Sequence, residues 1–271
     1  MSTLPFWISI AVLSTAQGVV VATTAVPRAL RPPVRLRSRS WALIPALSVL
    51  GFVVLVREAS GSPQALTYLA LVAVPILAAV ALAFLTPRAH PAAALLAAAL
   101  FALAWADHGG LAGQLAAAVL TGLSCVTLGV AIAWVTPRRP LELGIIAMAV
   151  VDAALVISDL LQKPNNALNA AHPAAHLPQL QAASFGSAVM GFGDLFIAGA
   201  LGGLLALHAS RALQLRGALL VAVFALAFDL LFFAVGELPA TVPVAGALVA
   251  LMAGYPSLRG EPARNRRGAG R

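Results

Sequence analysis

Apolar residues run through the chain in long blocks, broken at short intervals by Pro, Gly and Arg. Each block approaches the roughly 20 residues a helix needs to cross a hydrocarbon core. Divided at that punctuation, the pattern predicts nine transmembrane helices, at about 5–26, 41–57, 64–86, 91–106, 111–136, 141–161, 180–207, 217–236 and 239–257. The second and fourth are short, which leaves eight spans as the alternative count. The expected fold class is all-α, a polytopic helical bundle over residues 1–258 with a basic tail at 259–271. Neither a repeat nor a second domain is evident. The longest connection, QKPNNALNAAHPAAHLPQ at 162–179, reads as an irregular loop.

The polar punctuation also carries an orientation. With the N-terminus outside, the inner loops hold Arg28, Arg31, Arg35, Arg37 and Arg39, then Arg88, Arg138, Arg139, Arg211 and Arg216. The tail adds Arg259, Arg264, Arg266, Arg267 and Arg271, while the outer loops hold Arg57 and Lys163. The positive-inside rule then puts the C-terminus in the cytoplasm, with the tail as a disordered topological anchor.

Composition agrees. The chain is 61% hydrophobic and 10% charged, where ordinary soluble domains are about a quarter charged. The net charge of +8 lies in short loops and the tail, so it points to the bilayer and not to nucleic acid. Cys125 is alone, which excludes a disulfide framework and a thiolate metal cluster. No basic region precedes the first apolar block, so it is expected to be retained as a span.

Against this background the acidic residues stand out. Glu58, Asp107, Glu142, Glu237 and Glu261 fall at span ends, in loops or in the tail. Asp152, Asp194 and Asp229 fall inside spans six, seven and eight, and Asp159 lies towards the outer end of span six. A charge at mid-bilayer costs on the order of 3 kcal/mol and marks a functional site by default. At 1.5 Å per residue, Asp152 sits about 16 Å below the outer edge of span six and Asp194 about 20 Å below that of span seven. Consecutive antiparallel spans touch, so the two carboxylates are expected to face each other. In low dielectric they share one proton, the arrangement with which an aspartic protease activates water and protonates a scissile carbonyl. A proton-coupled transporter uses the same pair, and the pair alone does not choose between them.

The stretch VMGFGDLFIAGA at 189–200 shifts the balance. Gly191 and Gly193 loosen the helix beside Asp194 and let backbones approach. A protease needs its substrate extended, and irregular backbone is tolerated where it lines a wet cavity. Gly199 and Gly203 form a GxxxG that serves helix packing.

GFGD at 191–194 resembles the GxGD signature of intramembrane aspartyl proteases, the presenilin and signal peptide peptidase group. That family carries its other aspartate in a Tyr-Asp pair one span earlier; here VVDAA places Val151 in the tyrosine position and Asp152 as the acid. Its third element, Pro-Ala-Leu at the ninth span, is matched by Pro239 and Ala240, with Thr241 where leucine is expected. The resemblance covers about 145–257 and makes 141–258 the catalytic half. It implies Asp152 and Asp194 as the catalytic dyad, and Gly191, Gly193, Pro239 and Ala240 as residues that shape the site. It further implies transmembrane peptides or signal-peptide remnants as substrates, with no metal or cofactor. Nine spans with an outside N-terminus is similar to signal peptide peptidase. Prepilin peptidases also carry GxGD in a membrane, but theirs is followed by a hydrophobic residue and lysine, where this chain has Leu195 and Phe196. A catalytically inactive relative and a transporter are the remaining alternatives.

Other constellations add little. There is no HExxH and no GxSxG. His172 and His176 are four apart, but Pro173 interrupts them. Asp159 is two helical turns from Asp152 on the same face; it either tunes the pair or faces water at the helix end. Asp229 has no motif around it and either pairs across helices or marks a second proton site.

Overall fold

The computed structural model describes residues 6–27, 37–59 and 61–255. Arg28, Arg31, Arg35, Glu261 and the basic tail lie outside the described residues.

The described residues are mostly helical. Helices α1 (Phe6–Thr23), α2 (Ile44–Glu58), α3 (Ser62–Val80), α4 (Leu95–Ala106), α5 (Leu111–Val135) and α6 (Arg138–Ile157) form the first part. The short α7 (Gln162–Ala170) precedes a hairpin of β1 (Ala182–Phe185) and β2 (Ala188–Gly191). Helices α8 (Phe192–His208), α9 (Arg211–Asp229) and α10 (Val242–Gly254) complete the fold. Prolines near the starts of α2, α3 and α10 fit the position where a missing N–H costs nothing. A Ser210 cap accepting from the Leu213 N–H begins α9.

Among the described residues, counting flanking single turns, six helices are long and apolar enough to cross a membrane, and three apolar helices, at 91–106, 192–208 and 242–254, are shorter. The outer helices present Leu47, Val54, Leu69, Val72, Leu95 and Leu219 outward. A surface this apolar is what lipid covers, and the chain is a membrane protein by this criterion.

Two expected segments differ. The block at 180–207 is not one helix: its first third is the β-hairpin, and α8 begins only at Phe192. The hairpin register pairs Ala182 with Gly191 and Phe185 with Ala188, leaving Gly186 and Ser187 as a two-residue turn. Gly186 has φ 58°, which suits glycine at the first central position of a II′ turn. Its N–H bonds to Gln114 Oε1 at 2.8 Å on α5, and the Ser187 N–H to Ser9 Oγ at 3.2 Å on α1. The 162–179 connection, expected to be irregular, contains α7 in its first half.

The core is built around α5 and α8. From Leu195 to Leu205 every residue of α8 is buried, so this helix is apolar all round and lies inside the bundle. Small residues let it approach α5. A Cβ on Gly199 would stand 2.1 Å from the Cys125 carbonyl oxygen, and one on Gly203 would stand 2.7 Å from that of Gly129. The GxxxG therefore does the packing expected of it.

Candidate active site

Asp152 occupies the fifteenth position of α6, 5% exposed, and its Oδ2 accepts a 2.6 Å hydrogen bond from the Thr241 hydroxyl. The Thr241 backbone supplies a further hydrogen bond to this carboxylate. Thr241 is itself 1% exposed and is the residue immediately before α10. The segment that opens α10 thus grips the acid of α6.

Asp194 enters from α8. It was expected deep within a continuous span; it stands instead in the first helical turn, because the hairpin replaces the outer part of that span. Its Oδ2 accepts a 3.0 Å bond from the Gly191 N–H. This is half of a capping box, and the helix N-terminus favours a carboxylate at this position. Gly191 is the N-cap, with φ −63° and ψ 151°. Any residue adopts that conformation, so helix weakening is not what Gly191 provides. What it provides is room: a Cβ there would lie 3.1 Å from Asp194 Oδ2.

Gly193 joins the two acids' helices. A Cβ on it would meet Cε of Met148 at 3.3 Å. Met148 lies one turn before Asp152 on the same face of α6, so the Asp152 and Asp194 segments pack directly. The two carboxylates lie within electrostatic reach of each other and line one cavity of about 1090 Å³.

That cavity is framed by apolar side chains of α1, α2, α3, α5 and α9. Residues 187–194, the last strand and the GFGD turn, form one continuous wall. Strand β2 therefore runs along the cavity and delivers its chain into Asp194. Asn165, Asn166, Asn169 and Gln181 add amide groups from α7 and the segment before β1.

The other expected site residues divide. Ala240 lines the cavity, and its carbonyl accepts a 2.9 Å bond from Gln17 Nε2 on α1. Pro239 does not line it; its carbonyl accepts from the Val242 N–H in the turn that starts α10. Asp229, the last residue of α9, lines the same cavity as Asp152 and Asp194, 9% exposed. Asp159 is exposed and outside the cavity lining, with φ 54°, and it ends α6. The bonds Leu160 N–H to Leu155 O and Asp159 N–H to Val156 O are those of a Schellman cap.

Two residues gained importance only in three dimensions. In the sequence Thr241 is only a departure from leucine, and Gln17 belongs to no motif. A glutamine inside an apolar span is the signal that would have found the second. Among the described residues no group of three His, Cys, Asp or Glu is placed to hold a metal ion. His176 stacks on His108 at 5.0 Å instead of pairing with His172. Cys125 is buried, its Sγ 3.8 Å from the Phe192 carbonyl oxygen.

No protein-family model, curated protein or solved structure matches the chain.

Proposed function

We propose that the protein is an intramembrane aspartyl protease of the GxGD type, with Asp152 and Asp194 as its catalytic pair. The observation that carries this reading is that the two acids, from α6 and α8, line one cavity that an extended strand also walls. A peptide bond inside a helix is shielded; an extended segment laid along β2 would present its carbonyl to the acids. The ionised carboxylate takes a proton from water as the water oxygen bonds to the carbonyl carbon. The protonated partner gives its proton to the carbonyl oxygen. Collapse of the resulting gem-diol breaks the C–N bond, and the amine leaves with a proton returned from the pair. Substrates are transmembrane segments or signal-peptide remnants that unwind readily. The resemblance to signal peptide peptidases supports nine membrane crossings, with the N-terminus outside and the C-terminus in the cytoplasm of a bacterial-type plasma membrane. The seventh and ninth crossings, at 180–207 and 239–257, then begin with the short non-helical stretches before α8 and α10.

The test uses purified protein in detergent with a labelled single-span peptide. Cleavage is expected from the native chain and from neither Asp152→Asn nor Asp194→Asn. Undiminished cleavage by either variant removes the assignment. The position of Asp229 on the same cavity favours one other reading, a proton-coupled transporter. Proton flux into liposomes without any cleavage would select it.

A further inference from the structure

A second polar group lines the same cavity as the GFGD turn. Ser14 and Gln17 on α1 are 2% and 0% exposed. Gln17 spends its Nε2 on the Ala240 carbonyl and leaves Oε1 without a partner. Asp229 takes a hydrogen bond from Ser14 and leaves Oδ2 without a partner. Both unpartnered atoms are acceptors, and Gln17 and Asp229 both line the cavity.

Buried acceptors without donors are costly, so an occupant that donates is favoured. The sign of the cavity adds to this. Asp152, Asp194, Asp229 and Glu237 line it, and no Lys, Arg or His among the described residues does. The protease pair uses two of those acids. Asp229 is left over, in a buried position that an apolar side chain would fill at lower cost.

We infer that Asp229, with Ser14 and Gln17, is a subsite for a basic side chain, Lys or Arg, of the peptide that enters the cavity. An ammonium group has three donors and no acceptor, which matches one buried carboxylate oxygen and one buried amide oxygen that lack a donor. A basic residue is also disfavoured in lipid, so a carboxylate inside the cavity draws it from the bilayer. The subsite is tied to the catalytic pair through one peptide unit. Ala240 is held by Gln17 and the next residue, Thr241, holds Asp152. The basic residue therefore lies close in sequence to the bond that is cut. The substrate class narrows to membrane segments with a Lys or Arg near the scissile bond, and this identification of the occupant rests on the protease reading.

Binding tests the subsite apart from turnover. Fluorescent single-span peptides with one Lys at successive positions, each with a norleucine twin, are titrated against the full chain carrying Asp194→Asn. At one position, or two adjacent ones, Lys is expected to bind about tenfold tighter than norleucine, a ratio equivalent to 1.4 kcal/mol. The ratio is expected to fall to about one on adding Asp229→Asn and to persist with Asp229→Glu. Absence of any Lys preference in the Asp194→Asn chain overturns the proposal without needing an Asp229 variant. A preference that survives Asp229→Asn overturns it too, as does sodium tightening both twins equally, which would put an inorganic cation at Asp229. A Lys preference together with no cleavage by the native chain would keep the subsite and remove the protease.

Discussion

The Thr241 hydroxyl donates a 2.6 Å hydrogen bond to Asp152 Oδ2, tying the start of α10 to the acid of α6. Both groups are buried, so the bond is made away from competing water. Thr241→Val keeps the shape and removes the donor. Losing the partner of a buried charged group costs about 1–3 kcal/mol, so cleavage should fall roughly 10- to 100-fold. Thr241→Ser restores the hydroxyl and should recover most of the rate. If Ser fails to rescue, or Val leaves the rate intact, Thr241 does not position Asp152.

Asp159 sits at the left-handed position of the α6 cap, φ 54°. Its place after Ser158 makes it the usual site for glycine in a Schellman motif. Asp159→Gly relieves that conformation and should stabilise the protein by up to about 1 kcal/mol. Reversible unfolding in mixed micelles reads the difference. A loss of cleavage greater than the stability change would instead return Asp159 to the site.

Packing at α5 and α8 gives a sharper contrast. A Cβ on Gly199 would stand 2.1 Å from a backbone oxygen of α5, which cannot swing aside as a side chain can. Gly199→Ala should therefore destabilise by about 3 kcal/mol or more. Gly51 on α2 has nothing within 4 Å of its Cβ position, so Gly51→Ala should be neutral or gain up to about 1 kcal/mol from helix propensity. Equal melting temperatures for the two variants would contradict the packing described.

Much of this architecture was legible because membrane helices declare themselves by length and apolarity. The ends of α5 and α6 fall within a few residues of the expected blocks. The hairpin was hidden for the same reason. AASF and AVMG are as apolar as the helix that follows, and hydropathy reports burial, not backbone conformation. The Gly-Ser pair between two four-residue apolar runs was the local signal of a turn. For the site, the acids could be named because an intramembrane carboxylate is costly. The bond from Thr241 could not, because it joins residues 89 positions apart.

Glu237 links the cavity to pH. It lies between α9 and α10, and burial, with the negative charges of Asp159 and Asp152, raises its pKa above the ordinary 4.5. A carboxylate raised in the fold contributes stability that is full below its unfolded value and lost as pH rises through the folded one. At neutral pH its ionised form is therefore a net cost. Glu237→Gln should be more stable than the native chain at about pH 7, with the advantage shrinking as the pH falls towards 4. Thermal unfolding in detergent across that range checks the sign; an advantage that grew on acidification would reverse it.

The two glycines of the GFGD turn separate by what each would collide with. A Cβ on Gly191 would press on Asp194 Oδ2 at 3.1 Å, the same oxygen that the Gly191 N–H holds. Neither the oxygen nor the N–H can yield without turning the carboxylate. A Cβ on Gly193 would meet only the terminal methyl of Met148 at 3.3 Å, and a thioether end rotates readily. Gly191→Ala should thus cost cleavage about tenfold or more, on the order of 1.4 kcal/mol in the barrier. Gly193→Ala should cost a few-fold at most, about 0.5–1 kcal/mol, and Met148→Ala in the same chain should relieve it. Both variants should fold, since Gly191 has an extended backbone open to alanine and Gly193 lies in the first turn of α8. The order is the informative result: if Gly193→Ala proved the more damaging, the glycines would matter for the join between α6 and α8 and not for the freedom of Asp194.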